Sequence, residues 1–259
     1  KYVNVALSKA VTVLPEKCIG SYQRTIGMIE NFFEMVYFVN QIVIFIQKHF
    51  HVDILPHIAS SANDLTNCSN KKNTALAKLE DKIHEGLSKS LSSIMSSIGI
   101  ILDAQRKKDP YRLAENASPT GSVTPTCSEV ISFVKRIKGM FEKNLDGKNV
   151  DILLEEFGKK LYTLLLAHYK KFYVSPGLGG LVLLQDLTAY RDCAKLFNSE
   201  VVADKFEVLK EIAAIYNVAP ENLKILFTDT KLAKLDKNDV MNFIKLRTDF
   251  KTIWIGKYI

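Results

Sequence analysis

Apolar residues recur along most of this chain at spacings of three and four, which is the period of an amphipathic helix. The longest series predicts a helix that Asn73 or Thr74 caps and that ends near Arg106. Such a seam is typical of helices packed in bundles or coiled coils. The apolar positions of this series are Leu76, Leu79, Ile83, Leu87, Leu91, Ile94, Ile98, Ile101 and Leu102.

The N-terminal part of the pattern predicts two earlier helices. One covers residues 2–14 and stops at Pro15, and a longer one covers residues 21–49. Residues 35–47 carry no charge for 13 residues. A membrane-spanning helix needs about 20 apolar residues, so we expect a buried core helix here. Residues 51–61, with Pro56, are predicted to form a break or short turn, and the polar residues 61–73 a loop.

Residues 107–126 interrupt the helical pattern with small and polar side chains, which indicates a flexible surface loop. Ser118-Pro119 and Thr124-Pro125 in this loop match the sites of proline-directed kinases. We therefore expect a bundle part over residues 1–126 and a second bundle over 128–259, with one continuous rod as the alternative. Helices are predicted from residue 128 through Phe141, over 150–172, 187–197, 201–216, 221–227 and 228–235, and after Asp236.

Three glycines after Pro176 mark a break that opens the stretch of residues 177–193. The spacing of Gly177, Gly179 and Gly180 fits neither a Walker loop nor a dinucleotide fingerprint, and no strand is predicted beside it. The glycines are better explained as a hinge between helical layers, where the backbone turns or helices approach closely. Replacing both Gly179 and Gly180 with Val is then expected to destabilise the fold rather than abolish a reaction.

Composition narrows the classes of protein that fit. The chain has 259 residues, of which 47% are apolar and 24% charged, as in ordinary globular proteins. Its net charge of +7 is spread along the helices without a basic, aromatic-rich cluster, which argues against nucleic-acid binding. Contact with an acidic partner or an anionic membrane stays open. The four cysteines, Cys18, Cys68, Cys127 and Cys193, are too far apart for a zinc site or a disulfide framework, which favours a reducing cytoplasmic setting.

Few residues suggest chemistry. His49, His51, Asp53 and His57 lie close in sequence, but two of them diverge on a helix and Pro56 intervenes, so we predict no metal site.

Other titratable residues have structural explanations. Asp146 and Lys148 lack the further oxygen ligands of a calcium loop. His168 lies on an apolar stripe and is expected to be a hydrogen-bonded core histidine, whereas His84 lies on a polar side. Glu155 and Glu156 are expected to be solvated. We therefore predict no catalytic residue, no cofactor and no enzymatic activity.

Several segments resemble, in order and spacing, the C-terminal region of the Sec-ten subunit family of the exocyst, also called exocyst complex component five. A fainter likeness begins near Leu55-Pro56. The segments are Asn144-Leu145-Asp146-Gly147, Gly179-Gly180, Ala189-Tyr190-Arg191-Asp192, Val218-Ala219-Pro220-Glu221, Leu232-Ala233-Lys234-Leu235 and Leu246-Arg247-Thr248-Asp249.

This resemblance implies an elongated rod of stacked antiparallel helical bundles, of the kind found in tethering complexes, and a non-catalytic role. It implies vesicle tethering at the plasma membrane before SNARE-mediated fusion, in the cytoplasm and peripherally at membranes. It implies partners among the other exocyst subunits, especially the Sec-fifteen subunit, and small GTPases. Two alternatives stay open. One is a recyclin-type adaptor in endosome recycling, which shares this homology and adds an F-box upstream. The other is a lipid-binding or small-GTPase-binding helical module.

Overall fold

The computed structural model describes residues 2–18, 21–106, 108–114, 121–228 and 231–252, without the side chains of 224, 227 and 228. Every element in these ranges is helical except one isolated β-bridge between Val174 and Arg247, which confirms the all-α prediction. The α-helices are α1 (Tyr2–Val13), α2 (Tyr22–His49), α3 (Leu55–Ile58), α4 (Ala62–Arg106), α5 (Pro125–Asn144), α6 (Lys148–Tyr169), α7 (Leu178–Cys193), α8 (Glu200–Glu211), α9 (Ala214–Asn217), α10 (Leu223–Thr228) and α11 (Lys237–Lys245). A π-helix covers Phe50–Ile54, and 3-10 turns cover Ala194–Phe197, Pro220–Asn222 and Lys231–Lys234.

The chain divides into two compact units. The first contains Lys1–Ser97 with Met140–Asp146, and the second contains Ile98–Gly139 with Gly147–Ile259. The described residues of the loop predicted at 107–126 lie in the second unit. The division into domains 1–126 and 128–259 stays a prediction.

The first unit packs α2 against α1 and α4 through a core of aliphatic and aromatic side chains. The rings of Phe33 and Phe141 lie 5.0 Å apart between centroids, and both side chains are fully buried. Burying aromatic and branched aliphatic side chains is the main stabilising contribution of such a core. Other buried members of this core include Leu7, Val11, Ile26, Ile29, Phe32, Val36, Leu91 and Ile94.

Small side chains on α4 allow a close approach that the apolar pattern alone did not predict. Ser90, Ser93 and Ser97 are fully buried, whereas the predicted stripe residues Ile83 and Leu87 are only half-buried. A Cβ atom on the buried Gly86 would lie 2.2 Å from the ring of Phe32. Around residues 83–97, the side of α4 that packs into the core is therefore not the side that carries most of its large apolar residues.

The helix α4 begins at Ala62, so the predicted loop over residues 61–73 and the predicted cap at Asn73 or Thr74 are wrong. The hydroxyl of Ser61 accepts a hydrogen bond from the amide of Asp64 at 3.3 Å and begins the helix. The helical period continues upstream through the half-buried Leu65, Cys68 and Lys72. The Asn and Ser residues of this segment lie mostly on the exposed side of the helix. Their low helix propensity does not prevent the segment from being helical.

The end of α2 differs from prediction in two ways. The break expected at residues 51–61 is a π-helix that leads directly into α3. The wide turn stands just before Pro56, whose ring and missing amide do not fit the interior of a continuous α-helix but are tolerated in the first turn of α3. The expectation of a buried core helix over residues 35–47 is also wrong, because Phe38 is 61% exposed and Phe45 is 68% exposed.

The second unit places α6, α7 and α8 around an aromatic core. Phe157 and Phe197 meet edge to face, with ring centroids 5.4 Å apart. Gly158 allows α8 and Phe197 to lie close to α6, because its Cβ would lie 2.7 Å from a methyl group of Val202 and 3.0 Å from the ring of Phe197.

Several predicted helix limits in this unit shift. The helix predicted from residue 187 begins at Leu178, and the one predicted over 201–216 is interrupted between α8 and α9. The helix expected at 228–235 is a 3-10 turn from Lys231.

Candidate functional site with a buried polar junction and an exposed apolar face

Five polar side chains of the second unit form what we call the polar junction: Gln105, Tyr111, Thr124, His168 and Asp186. None is more than 7% exposed. The Asp186 carboxylate accepts bonds from the Tyr111 hydroxyl at 2.5 Å and from the hydroxyl and amide of Thr124, each at 2.7 Å. Gln105 donates to Tyr111 at 2.9 Å and to Thr124 at 3.0 Å, and it lies 2.8 Å from Nε2 of His168.

The hydrogen bonds of the junction have one consistent direction. His168 donates through Nε2 to the Gln105 carbonyl oxygen, the Gln105 amide donates to two hydroxyls, and those hydroxyls donate to Asp186. Burial raises the pKa of Asp186, while its bonds from Thr124 and Tyr111 oppose that shift. Burial lowers the pKa of His168 to about 4, so its imidazole is neutral near pH 7.

The junction holds two described residues from between α4 and α5 against α7. These residues are Tyr111 and Thr124, and Asp186 lies on α7. Thr124 also accepts from the amide of Cys127 at 3.3 Å and caps α5, which begins at Pro125, three residues before the predicted start. With every member withdrawn from solvent, the arrangement supplies positioning and pairs its buried polar groups, except Nδ1 of His168, which has no partner among the described residues.

The glycines at the start of α7 confirm the prediction of close approach. A Cβ on Gly179 would lie 2.0 Å from the Tyr111 carbonyl oxygen, and one on Gly180 would lie 2.8 Å from Oδ1 of Asn217. Gly177 has φ of +77° and supplies the turn before the helix. Gly179 and Gly180 are not in a hinge loop, however, because they lie in the first turn of α7.

Arg247 joins other segments of the second unit. The residue is 2% exposed, and its guanidinium pairs with both carboxylate oxygens of Asp249 at 2.9 and 2.8 Å. It also donates to the carbonyl oxygens of Ile215 at 2.6 Å and Val218 at 3.0 Å. The amide of Thr248 and the carbonyl of Val174 complete the bridge at 3.0 Å. Residues that are far apart in the sequence, such as Val174 and Ile215, therefore meet around Arg247.

The histidine cluster does not converge on a common point. His49 Nδ1 lies 2.6 Å from Asp53 Oδ2, as an exposed pair one helical turn apart. Within the described part of the chain no group of three or more His, Cys, Asp or Glu residues could hold a metal ion.

The other titratable residues considered in the sequence analysis are explained by their contacts and burial. Glu155 accepts from Lys159 at 2.6 Å and from Ser199 at 2.8 Å, and Glu156 lies 3.4 Å from Lys160. His84 is exposed, as predicted. His168 lies in the core as predicted, but only Nε2 is bonded, because Nδ1 has no partner among the described residues.

Sequence reasoning missed Asp186 as a central residue. One feature of the sequence could have identified it: Asp186 lies at helical spacing between Leu183 and Tyr190, which are both buried. A single carboxylate on a buried side of a helix needs hydrogen-bond donors nearby. Cys127 and Cys193 are also buried, and burial raises the pKa of Cys193 to about 11, which keeps this thiol protonated.

An exposed apolar face lies on the second half of α2 and the π-helix. Phe38, Phe45 and Val52 recur every seven residues and are each more than 60% exposed. Tyr37 and Ile44, at 40% and 54%, flank them, and these five residues are called the α2 apolar face. By length and composition, Tyr22–Ile58 is apolar enough to cross a membrane, with 28% of its most apolar window buried. An exposed apolar surface of this kind is typical of an interaction site.

Comparison with known proteins gives a consistent result. The family model described as "Exocyst complex component Sec10-like, alpha-helical bundle" matches residues 1–258. The chain is 39% identical over 227 residues to exocyst complex component 5 of Dictyostelium discoideum, covering 88% of this chain and 23% of that protein. It is 30% identical over 227 residues to exocyst complex component 5 of Homo sapiens, covering 88% of this chain and 32% of that protein.

The chain therefore spans between about a quarter and a third of the length of these relatives. The helical architecture agrees with the matching model, and the match extends over both compact units. On these grounds, the chain belongs to the Sec10-like family of exocyst components.

Proposed function

We propose that this chain is a non-catalytic scaffold region of an exocyst subunit that supports the docking of secretory vesicles at the plasma membrane before SNARE-mediated fusion. The observation that carries the proposal is the family match over residues 1–258. The packing is consistent with it, since the polar junction of the second unit is closed to solvent. The elongated rod expected from the sequence belongs to this proposal as well.

The proposed partners are other exocyst subunits, with the Sec-fifteen subunit first and small GTPases next. The proposed location is the cytoplasm, peripheral to the plasma membrane and to secretory vesicles. An apolar surface such as the α2 apolar face supports an assembling role, because large side chains such as Phe45 are exposed at a cost that a partner would relieve.

Affinity purification of the tagged full-length protein tests the proposal. We expect the other exocyst subunits to co-purify, and deletion of the region that corresponds to residues 1–259 to reduce their recovery and slow secretion. Recovery of none of these subunits would contradict the proposal. Recovery of ubiquitin-ligase components, with an F-box upstream, would instead favour the recyclin-type adaptor.

The α2 apolar face also favours a second candidate, a lipid-binding helical module. Aromatic and aliphatic side chains beside Lys48 fit the boundary of an anionic bilayer. Flotation of the full-length protein with phosphatidylserine vesicles tests it, with Phe38→Ser/Phe45→Ser as the paired variant. Equal flotation of both proteins, or flotation of neither, would exclude lipid docking through this face.

A further inference from the structure

A groove in the first unit lies between α1, α2 and α4. Its volume is about 520 Å³, and its apolar lining comes from Val3 on α1, Ile42 and Ile46 on α2, and Leu79 on α4. Ile46 is 37% exposed. Grooves between helices that expose aliphatic side chains at helical spacing suit a further helix whose apolar stripe fills them.

The charges of the groove have a single sign. Its only charged lining residues are Lys71 and Lys78, both exposed, and neither has an ion-pair partner among the residues that the structure describes. No Asp or Glu occurs in α1, in residues 35–52 or in residues 70–79, the segments that border the groove. The lining of the groove therefore offers a partner lysines and no carboxylate, and the first acids beyond it on α4 are Glu80 and Asp81.

One polar atom at the groove is also left without a partner. The side-chain oxygen Oδ1 of Asn4 is buried and accepts no hydrogen bond within the described ranges. A buried acceptor without a donor is costly, and a donor from a bound partner would remove that cost.

We propose that this groove binds an amphipathic helix from another polypeptide chain, with an aliphatic stripe toward Ile42 and Ile46 and with Asp or Glu residues toward Lys71 and Lys78. The inference rests on the proposed function, because it assigns one assembly contact of the scaffold. A helix is favoured over a bilayer because the lining is concave and walled by three helices, whereas a lipid surface needs a protruding apolar face.

The first test uses the full-length protein purified with its complex. Lys71→Glu/Lys78→Glu reverses both charges, and Lys237→Glu/Lys245→Glu makes the same change at exposed lysines of α11 that have no ion-pair partner in the described part of the chain. We expect the first variant to retain its melting temperature and to lower the recovery of one subunit about tenfold, through lost attraction and new repulsion. We expect the control to behave as wild type.

A photo-crosslinking residue at the exposed position of Ala75, which lines the groove, identifies the occupant. We expect the crosslinked peptide to come from another subunit and to carry an aliphatic stripe with Asp or Glu. Replacing those acids with Lys is expected to restore binding to Lys71→Glu/Lys78→Glu. Crosslinks only within the same chain, or only to lipid, would overturn the inference.

The outcomes separate this inference from the proposed function. If wild type recovers the exocyst subunits and Lys71→Glu/Lys78→Glu recovers them equally, the groove assignment is wrong and the scaffold role stands. If wild type recovers none of them, both proposals are overturned together.

Discussion

Asp186 shows how one carboxylate organises the interior of the second unit. It accepts three hydrogen bonds from Tyr111 and Thr124 while fully buried. An amide at this position offers one acceptor oxygen and a competing donor. We expect Asp186→Asn to lower the free energy of unfolding by about 2 kcal/mol.

Urea denaturation measures this loss, with Asp204→Asn as the control. Asp204 has a 72% exposed side chain and lies 3.8 Å from Lys234, so its change should stay within about 0.5 kcal/mol. Equal effects of the two substitutions would show that the carboxylate of Asp186 does not hold the junction.

His168 should make stability depend on pH. Its pKa is lowered from 6.5 to about 4, so between these values the unfolded chain binds a proton that the folded chain does not. Stability is therefore lost as the pH falls through this window, by about 3 kcal/mol in total. Because burial raises the pKa of Asp186, that carboxyl group contributes in the opposite direction, and stability from it is lost as the pH rises.

The His168 contribution is isolated by comparing wild type with His168→Gln in urea melts at pH 7 and pH 4.5. We expect the variant to lose less stability than wild type on acidification, since Gln cannot be protonated. A variant with the same pH profile as wild type would rule out this histidine as the source.

Sequence reasoning placed His168 in the core correctly, but it could not find the residues that bond to it. The contacts of the junction join positions 63 residues apart between His168 and Gln105 and 75 apart between Tyr111 and Asp186. Periodicity reports which side of a helix is buried and carries no information on such distant pairings.

At the scale of whole elements, the sequence predicts the long helices well. It predicts poorly where α4 begins and which parts of α2 are buried. The periods of α2, α4 and α6 are clear in the sequence. The start of α4 was missed because exposed Asn and Ser residues resemble a loop, although the Leu65 and Cys68 side of that segment is half-buried. The end of α2 was expected to be buried because apolarity alone does not tell a core from a contact surface.

Among the described glycines, Gly179 is the one at which an added Cβ would come closest to a neighbouring backbone atom. A methyl group there would meet the Tyr111 backbone oxygen at 2.0 Å, and a backbone atom cannot turn away as a side chain can. We expect Gly179→Ala to cost about 2 to 3 kcal/mol of unfolding free energy, as overpacking does.

The matched control is Gly139→Ala in α5, where a Cβ would meet nothing within 4 Å. Removing an exposed helical glycine should stabilise the protein by about 0.5 to 1 kcal/mol. In thermal unfolding, the melting temperature should fall for Gly179→Ala and rise for Gly139→Ala. A lower melting temperature for both variants would contradict the explanation that the contact with Tyr111 causes the loss.

For the whole molecule, the sequence resemblance and the family match agree, while the division into domains stays a prediction. The α2 apolar face provides a test at this scale. We expect Phe38→Ser/Phe45→Ser to change the unfolding free energy by no more than about 0.5 kcal/mol, since both rings are largely exposed. The recovery of partner subunits by the full-length protein should fall. A large drop in melting temperature instead would mean that the rings support the fold itself.

The burial of Thr124 has a consequence for regulation. Thr124-Pro125 matches a proline-directed kinase site. Thr124 is only 7% exposed, however, and its hydroxyl donates a hydrogen bond to the carboxylate of Asp186. A phosphate at this oxygen would place up to two negative charges against Asp186 and displace the start of α5. A kinase would therefore modify this threonine only in chains whose second unit is open. Phosphorylation detected at Thr124 would then report newly made or damaged molecules in a cell rather than a signal to folded ones.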